Sequence, residues 1–224
     1  MDDSRDDLDV DEAAELWGGG PAEISQARSR HIPFYKFTYY ADRLDLANIP
    51  NHANLVETLA NPDFDPGRQQ SLPWQGGFAG IAYNTEKLPG GLKNIDDLWS
   101  ADLKGRVTVL SEMRDTLGCI MRAQGADITK FTSEDFYASL DVLEKQVTDG
   151  QIRNVKGNSY TEDLVSEDAL AAIAWSGDIT LLNYEAGYEK WKFVLPESGG
   201  TFWNDTFIIP IGSPRKTNAE KLIN

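Results

Sequence analysis

The chain has 224 residues, 41% of them hydrophobic, enough for one or two domains with a buried core. Its 36 acidic and 21 basic residues leave a net charge of −15, which argues against a nucleic-acid partner and is compatible with a cationic ligand. The single cysteine, Cys119, allows no internal disulfide, the two histidines, His31 and His52, exclude a histidine-rich metal centre, and no run of 18 apolar residues is present to span a membrane.

Residues 1–30 read as an acidic, poorly ordered lead-in. The first 15 residues carry eight acids against Arg5, a net −7, and Trp17-Gly18-Gly19-Gly20-Pro21 follows as a break. Met1 opens directly onto this run, with no signal peptide visible. Residues 31–48 suggest no firm element, and residues 49–73 read as loop, with Pro50, Pro62, Pro66 and Pro73. The second half of Trp74–Asn84 predicts a strand whose glycines permit close backbone approach. Ile95–Trp99 suggests a short helix and Val107–Leu110 a strand. Helices are expected over about 115–124 and 133–148, the second with Ser133 as N-cap and Phe136, Leu140, Leu143 and Val147 facing inward. Ile152–Val155 reads as a strand, Tyr160–Val165 as a short helix and Leu170–Trp175 as a strand of small residues. A helix of about 178–187, a strand at Phe193–Leu195, a strand over 201–209 and a helix from Ala219 complete the series. Strands alternating with helices predict an α/β domain with a partly parallel sheet. Ligands in such domains sit at the carboxyl ends of strands, which selects residues 111–115, 175–178 and the loop before 201.

Those positions hold the residues of chemical interest. In Thr201-Phe202-Trp203-Asn204-Asp205-Thr206-Phe207-Ile208-Ile209-Pro210, alternation puts Trp203, Asp205, Phe207 and Ile209 on one face. A carboxylate beside an indole on an apolar face is a seat for an organic cation, because the ring attracts the charge and the carboxylate neutralises it. The alternative is that Asp205 accepts backbone N–H bonds from a loop. Trp175 and Asp178 form a second pair, against core packing for Trp175 and helix capping for Asp178. Glu112 and Asp115 follow the Val107–Leu110 strand, with Asp115 equally placed to cap a helix starting at Thr116. Arg114 is placed to hold a neighbouring carboxylate. Cys119 reads as a small buried side chain, and His31 and His52 as surface residues. The glycine clusters lack phosphate-loop context, and no nucleophile elbow, zinc motif or dinucleotide fingerprint is present. Glu112 with Asp205 would supply an acid–base pair, but nothing sets their separation. Rings and carboxylates without a catalytic motif favour holding a cation over transforming it, with no cofactor.

From about Leu46 to Asn224 the chain resembles the spermidine/putrescine-binding proteins of bacterial ABC importers. The resemblance rests on Asn48-Ile49-Pro50-Asn51, Phe64-Asp65-Pro66-Gly67, Ser71-Leu72-Pro73-Trp74, Gly80-Ile81-Ala82-Tyr83-Asn84, Leu98-Trp99, Leu103-Lys104-Gly105-Arg106-Val107 and Trp175-Ser176-Gly177-Asp178. Its most specific stretch is Pro196-Glu197-Ser198-Gly199-Gly200-Thr201-Phe202-Trp203-Asn204-Asp205. It implies a type II periplasmic-binding-protein-like fold whose two lobes close on a polyamine, with ligand contacts at Trp175, Asp178, Trp203 and Asp205. Glu112 and Asp115 fall near further acidic contacts, and Tyr39 and Tyr40 align poorly with first-lobe aromatic contacts. The implied partner is the membrane permease of an ABC importer, the implied location periplasmic or cell-surface, and the expected state monomeric.

On the same resemblance, residues 31–104 are expected to hold part of the first lobe and crossover segments, 105–200 the second lobe, and 201–224 a crossover strand and a truncated helix. No export signal or first-lobe sheet is recognisable, and family members continue past Lys221-Leu222-Ile223-Asn224. The chain is therefore expected to be an incomplete copy with weak or absent polyamine binding. A truncated remnant that no longer binds, and a carboxylate-based enzyme acting on a small cation, stay open as alternatives.

Overall fold

A computed structural model describes residues 40–224. The acidic lead-in, His31 and Tyr39 lie outside the described residues. The described residues form two compact units, one built from those up to Gln75 together with Asp205–Asn224, the other from Gly76–Asn204. Residues 76–104 therefore belong to the second unit.

The second unit is built on a mixed sheet of β1 (Ser71–Asn84), β2 (Val107–Leu110), β3 (Ile152–Lys156), β4 (Ala171–Trp175) and β5 (Trp191–Val194) in the order β3-β2-β4-β1-β5, with β6 (Thr201–Ile208) also paired to β1. Strand β1 (Ser71–Asn84) starts earlier than its glycines suggested, and it pairs with β6 as well as with β4 and β5. It runs antiparallel to β4 (Ala171–Trp175), with Ala79 opposite Trp175, and antiparallel to β5 (Trp191–Val194). Strand β2 (Val107–Leu110) is parallel to both β3 (Ile152–Lys156) and β4. Its four residues are all buried, as expected of a central strand covered on both faces. Ile81, Ala82, Val109, Ala172 and Ile173 form the centre of this core.

Among the described residues the α-helices in chain order are α1 (Glu57–Ala60), α2 (Met113–Ala123), α3 (Ser133–Thr148), α4 (Tyr160–Val165), α5 (Ser176–Ala186) and α6 (Lys216–Ile223). Several boundaries differ from the sequence reading for local reasons. Thr132, not Ser133, caps α3, in a reciprocal capping box with Asp135. Phe136 is buried on α3, but Val147 near its end is 47% exposed, so the inward stripe stops short. Ile95–Trp99 is a 3₁₀-helix opened by an Asn94–Asp97 capping box. Trp175 itself stands at the N-cap of α5, which places Asp178 within the first turn and not at the cap.

A buried carboxylate ties α4 to the sheet. Asp163 accepts hydrogen bonds from Thr108 Oγ1 (2.8 Å) and Asn154 Nδ2 (2.8 Å) and pairs with Lys156 Nζ (2.6 Å). Burial opposes its ionisation, but the bonds from Lys156, Asn154 and Thr108 hold the carboxyl below the usual aspartate range.

The first unit has its own apolar cluster of Leu44, Ile49, Leu72 and Ile209, flanked by Leu46, Leu55, Ala219 and Ile223. Glu220 on α6 is buried and accepts from Asp45 N and Asn48 Nδ2. The segment 49–73 carries short 3₁₀ and helical turns as well as loop, and Asp65 organises its end. Its carboxylate, 4% exposed, accepts from the backbone of Gln69, Gln70 and Ser71 and from Ser71 Oγ. His52 is half-buried, its Nδ1 2.6 Å from the Ile49 carbonyl oxygen.

Candidate functional site

Because β2 and β4 are parallel, the turns that follow them leave from the same edge of the sheet. The β2 turn delivers Glu112 and Asp115, and the end of β4 delivers Trp175 and Asp178.

Of the two acids after β2, Glu112 is the one that caps the following helix, and Asp115, expected as a possible cap, is buried instead. Glu112 is the N-cap of α2, its Oε2 accepting from Asp115 N at 2.9 Å. Arg114 lies 4.0 Å from the other Glu112 oxygen, at the limit of an ion pair. Asp115 lies inside the first turn and does not cap it. It is 6% exposed, with Oδ2 accepting from the Trp175 indole N–H at 2.7 Å and Oδ1 from the Thr201 hydroxyl at 2.5 Å. A buried carboxylate is tolerable here because both oxygens receive hydrogen bonds.

Trp175 is held at further points. Its backbone N–H donates to the Tyr160 hydroxyl (3.1 Å), and the two rings meet edge-on at 5.9 Å and 77°. Tyr160 is fully buried, and the Asp178 carboxylate is hydrogen-bonded with its phenol. Burial, followed by the nearby Asp178 charge, pushes the phenol well above its ordinary range, so it stays a neutral donor. Beneath Asp115, Cys119 is buried, and burial followed by the Asp115 charge pushes its thiol up to about 12. Buried and with no positive neighbour among the described residues, the thiol has the environment of an inert structural cysteine.

Trp203 is seated by a glycine. A Cβ at Gly77 would lie 2.9 Å from Trp203 Cζ2 and 3.1 Å from Ser176 Oγ, so the indole and the start of α5 meet over bare backbone. The Trp203 indole N–H is buried and has no acceptor among the described residues. Asp205 belongs to the first unit and is exposed, where Gln75 Nε2 approaches it at 3.4 Å. The buried face expected for Asp205 is therefore not found, although Ile209 on the same alternation is buried.

The second unit thus brings Asp115 and Trp175 into direct contact and places Asp178 on the same buried tyrosine. Glu112 is engaged as a cap. Tyr160 and Thr201 escaped sequence reading as site residues. Tyr160 looked like the opening of a short helix and Thr201 like the edge of a strand, and neither pattern reveals a buried hydroxyl partner. Among the described residues no cluster of metal-ligating side chains is present.

Residues 32–224 match the model of the bacterial extracellular solute-binding proteins. The chain belongs to this family. Among curated relatives, the spermidine/putrescine-binding periplasmic protein of Escherichia coli is 27% identical over 199 residues, covering 84% of this chain and 56% of the relative. The putrescine-binding periplasmic protein PotF of the same organism is 25% identical, covering 81% and 53%. The chain therefore spans about half the length of the curated relatives it matches. Among solved structures, the TpPotD lipoprotein of Treponema pallidum superposes with a TM-score of 0.75 at 21% identity, over 95% of this chain and 67% of that one. The spermidine/putrescine substrate-binding protein PotD of Streptococcus pneumoniae gives 0.71 at 21% identity, over 97% and 67%. These likenesses show the fold, that of the periplasmic binding proteins.

Proposed function

We propose that this protein is the solute-binding component of an ABC importer and that its ligand is a polyamine, putrescine or spermidine. The observation that carries the reading is the arrangement around Trp175. An indole is locked in place by Asp115 and Tyr160, and a second carboxylate, Asp178, stands in the next turn of chain. An ordered aromatic ring with a nearby carboxylate suits an alkylammonium, whose methylenes pack on the ring while its charge is neutralised. The names of the curated relatives support the same ligand class. Trp203 supplies a second ring, and Asp205 stays in the proposal as an exposed carboxylate open to a cation. The burial of the Cys119 thiol and the capping role of Glu112 favour holding a cation over transforming it. The partner is a membrane permease and the site of action periplasmic or at the cell surface.

A thermal-shift panel followed by calorimetric titration tests this. Putrescine or spermidine should raise the melting temperature, while a betaine at the same concentration should not. Asp178→Asn should weaken polyamine binding by about tenfold or more, as expected for losing a charged hydrogen-bond acceptor. A chain that folds but shows no shift with any amine at millimolar concentration overturns the reading and leaves the non-binding remnant.

A further inference from the structure

We infer that Asp115 is a positioning residue that acts through Trp175, and that it does not itself pair with the ligand's ammonium group. This rests on the polyamine reading and refines it, by assigning charge recognition on this unit to Asp178 and ring orientation to Asp115.

The argument starts from what the Asp115 oxygens already do. One accepts the Trp175 indole N–H at 2.7 Å and the other the Thr201 hydroxyl at 2.5 Å, while only 6% of the residue meets solvent. An ammonium group approaching it would compete with both donors in a place already closed to water. The surroundings are shaped to keep the carboxylate there. Its own N–H is bound by Glu112, which fixes the start of α2. One turn on, Gly118 leaves room for the Thr201 methyl, since a Cβ at residue 118 would sit 2.8 Å from Thr201 Cγ2. Thr201 therefore orients Asp115, and Asp115 orients the indole.

The indole needs such a hold. Trp175 ends β4 and is only partly buried, so core packing alone does not fix its ring. Tyr160 meets it edge-on from one side, and Asp115 binds Nε1. Two restraints on different parts of the ring leave one orientation of its face. A ring oriented before the ligand arrives avoids the ordering cost at binding, which is where Asp115 adds affinity.

Asp115→Asn separates the two roles. An asparagine carbonyl still accepts the indole N–H, and its amide donates to a reoriented Thr201 hydroxyl, but the negative charge is gone. A positioning role predicts that Asp115→Ala weakens spermidine binding about tenfold, and Asp115→Asn only about two- to threefold. It also predicts non-additivity: in a Trp175→Phe background, which has no indole N–H, Asp115→Ala weakens binding no further. If Asp115 pairs with the ammonium, Asn and Ala lose affinity alike and the loss persists in the Phe background, which overturns the inference. The ligand-free protein supplies an independent readout. Near-ultraviolet circular dichroism should lose the same tryptophan band in Asp115→Ala and Trp175→Phe, and should retain it in Asp115→Asn. A chain without polyamine binding sinks the functional reading through titration. The spectra then still decide the coupling, and a Trp175 band unchanged in Asp115→Ala refutes it.

Discussion

The Trp203 indole rests on Gly77 so closely that a methyl group at residue 77 would stand 2.9 Å from Cζ2 and 3.2 Å from Cε2. This contact joins a ring proposed to face ligand to a glycine in the middle of β1, and it makes the ring's position sensitive to one carbon atom.

Gly77→Ala should therefore push the Trp203 ring off its seat. Overpacking of this kind costs about 1–3 kcal/mol where the neighbour cannot yield, and less at a half-exposed ring. The expected result is a small drop in melting temperature and a larger proportional loss of polyamine affinity, about tenfold. Calorimetry and a thermal melt on the same sample measure both. Wild-type affinity in Gly77→Ala would count against Trp203 as a ligand contact.

Acid stability should depend on Asp163. Its folded-state pKa is held below the ordinary aspartate value of about 3.9 by Lys156, Asn154 and Thr108. A depressed carboxyl pKa contributes stability that is present above the unfolded value and is lost as pH falls through the folded one. Urea midpoints measured from pH 6 down to 3 should fall on the acid side, and Asp163→Asn should flatten part of that slope while lowering the midpoint at pH 6. A parallel displacement of the two curves would show that Asp163 is not coupled to protonation.

The loop before β1 depends on Asp65, which gathers the backbone N–H groups of Gln69, Gln70 and Ser71. Asp65→Ala leaves these donors unpaired in a buried place, at about 1–3 kcal/mol for each donor that water does not reach. Asp65→Asn should recover only part of this, since its carbonyl oxygen still accepts from some of the donors while its amide N–H faces the rest. Chemical denaturation of the two variants checks this, and near-native stability in Asp65→Asn would contradict the assignment.

The buried thiol gives a simple chemical check. Cys119 is fully buried and its pKa is raised to about 12. The native protein at pH 8 should react with Ellman's reagent far more slowly than the urea-unfolded chain. Equal rates would place Cys119 in solvent.

The candidate site was legible in the sequence as residue types but not as roles. Asp115 and Glu112 lie three residues apart at a helix start, where either can cap. Only the packing of Thr201 and Trp175 against Asp115 draws it inward and leaves the cap to Glu112. Asp205 illustrates the opposite error. Alternation put it on the face of Ile209, yet burial on that face fades along the strand, from a buried Ile209 through a partly buried Phe207 to an exposed Asp205.

Local chemistry determined the α/β alternation, most strand and helix positions, the apolar β2 and the Trp–Asp pairs beside strand ends, because periodicity and turn preference act over a few neighbouring residues. Tertiary structure alone decided which strands lie side by side, that Tyr160 and Thr201 serve the same indole and carboxylate, and which acid is buried. Those outcomes depend on contacts between residues 60 and 86 positions apart, as in the bonds of Asp115 to Trp175 and Thr201. No local pattern encodes a partner at that distance, since it is selected by the close packing of the folded unit.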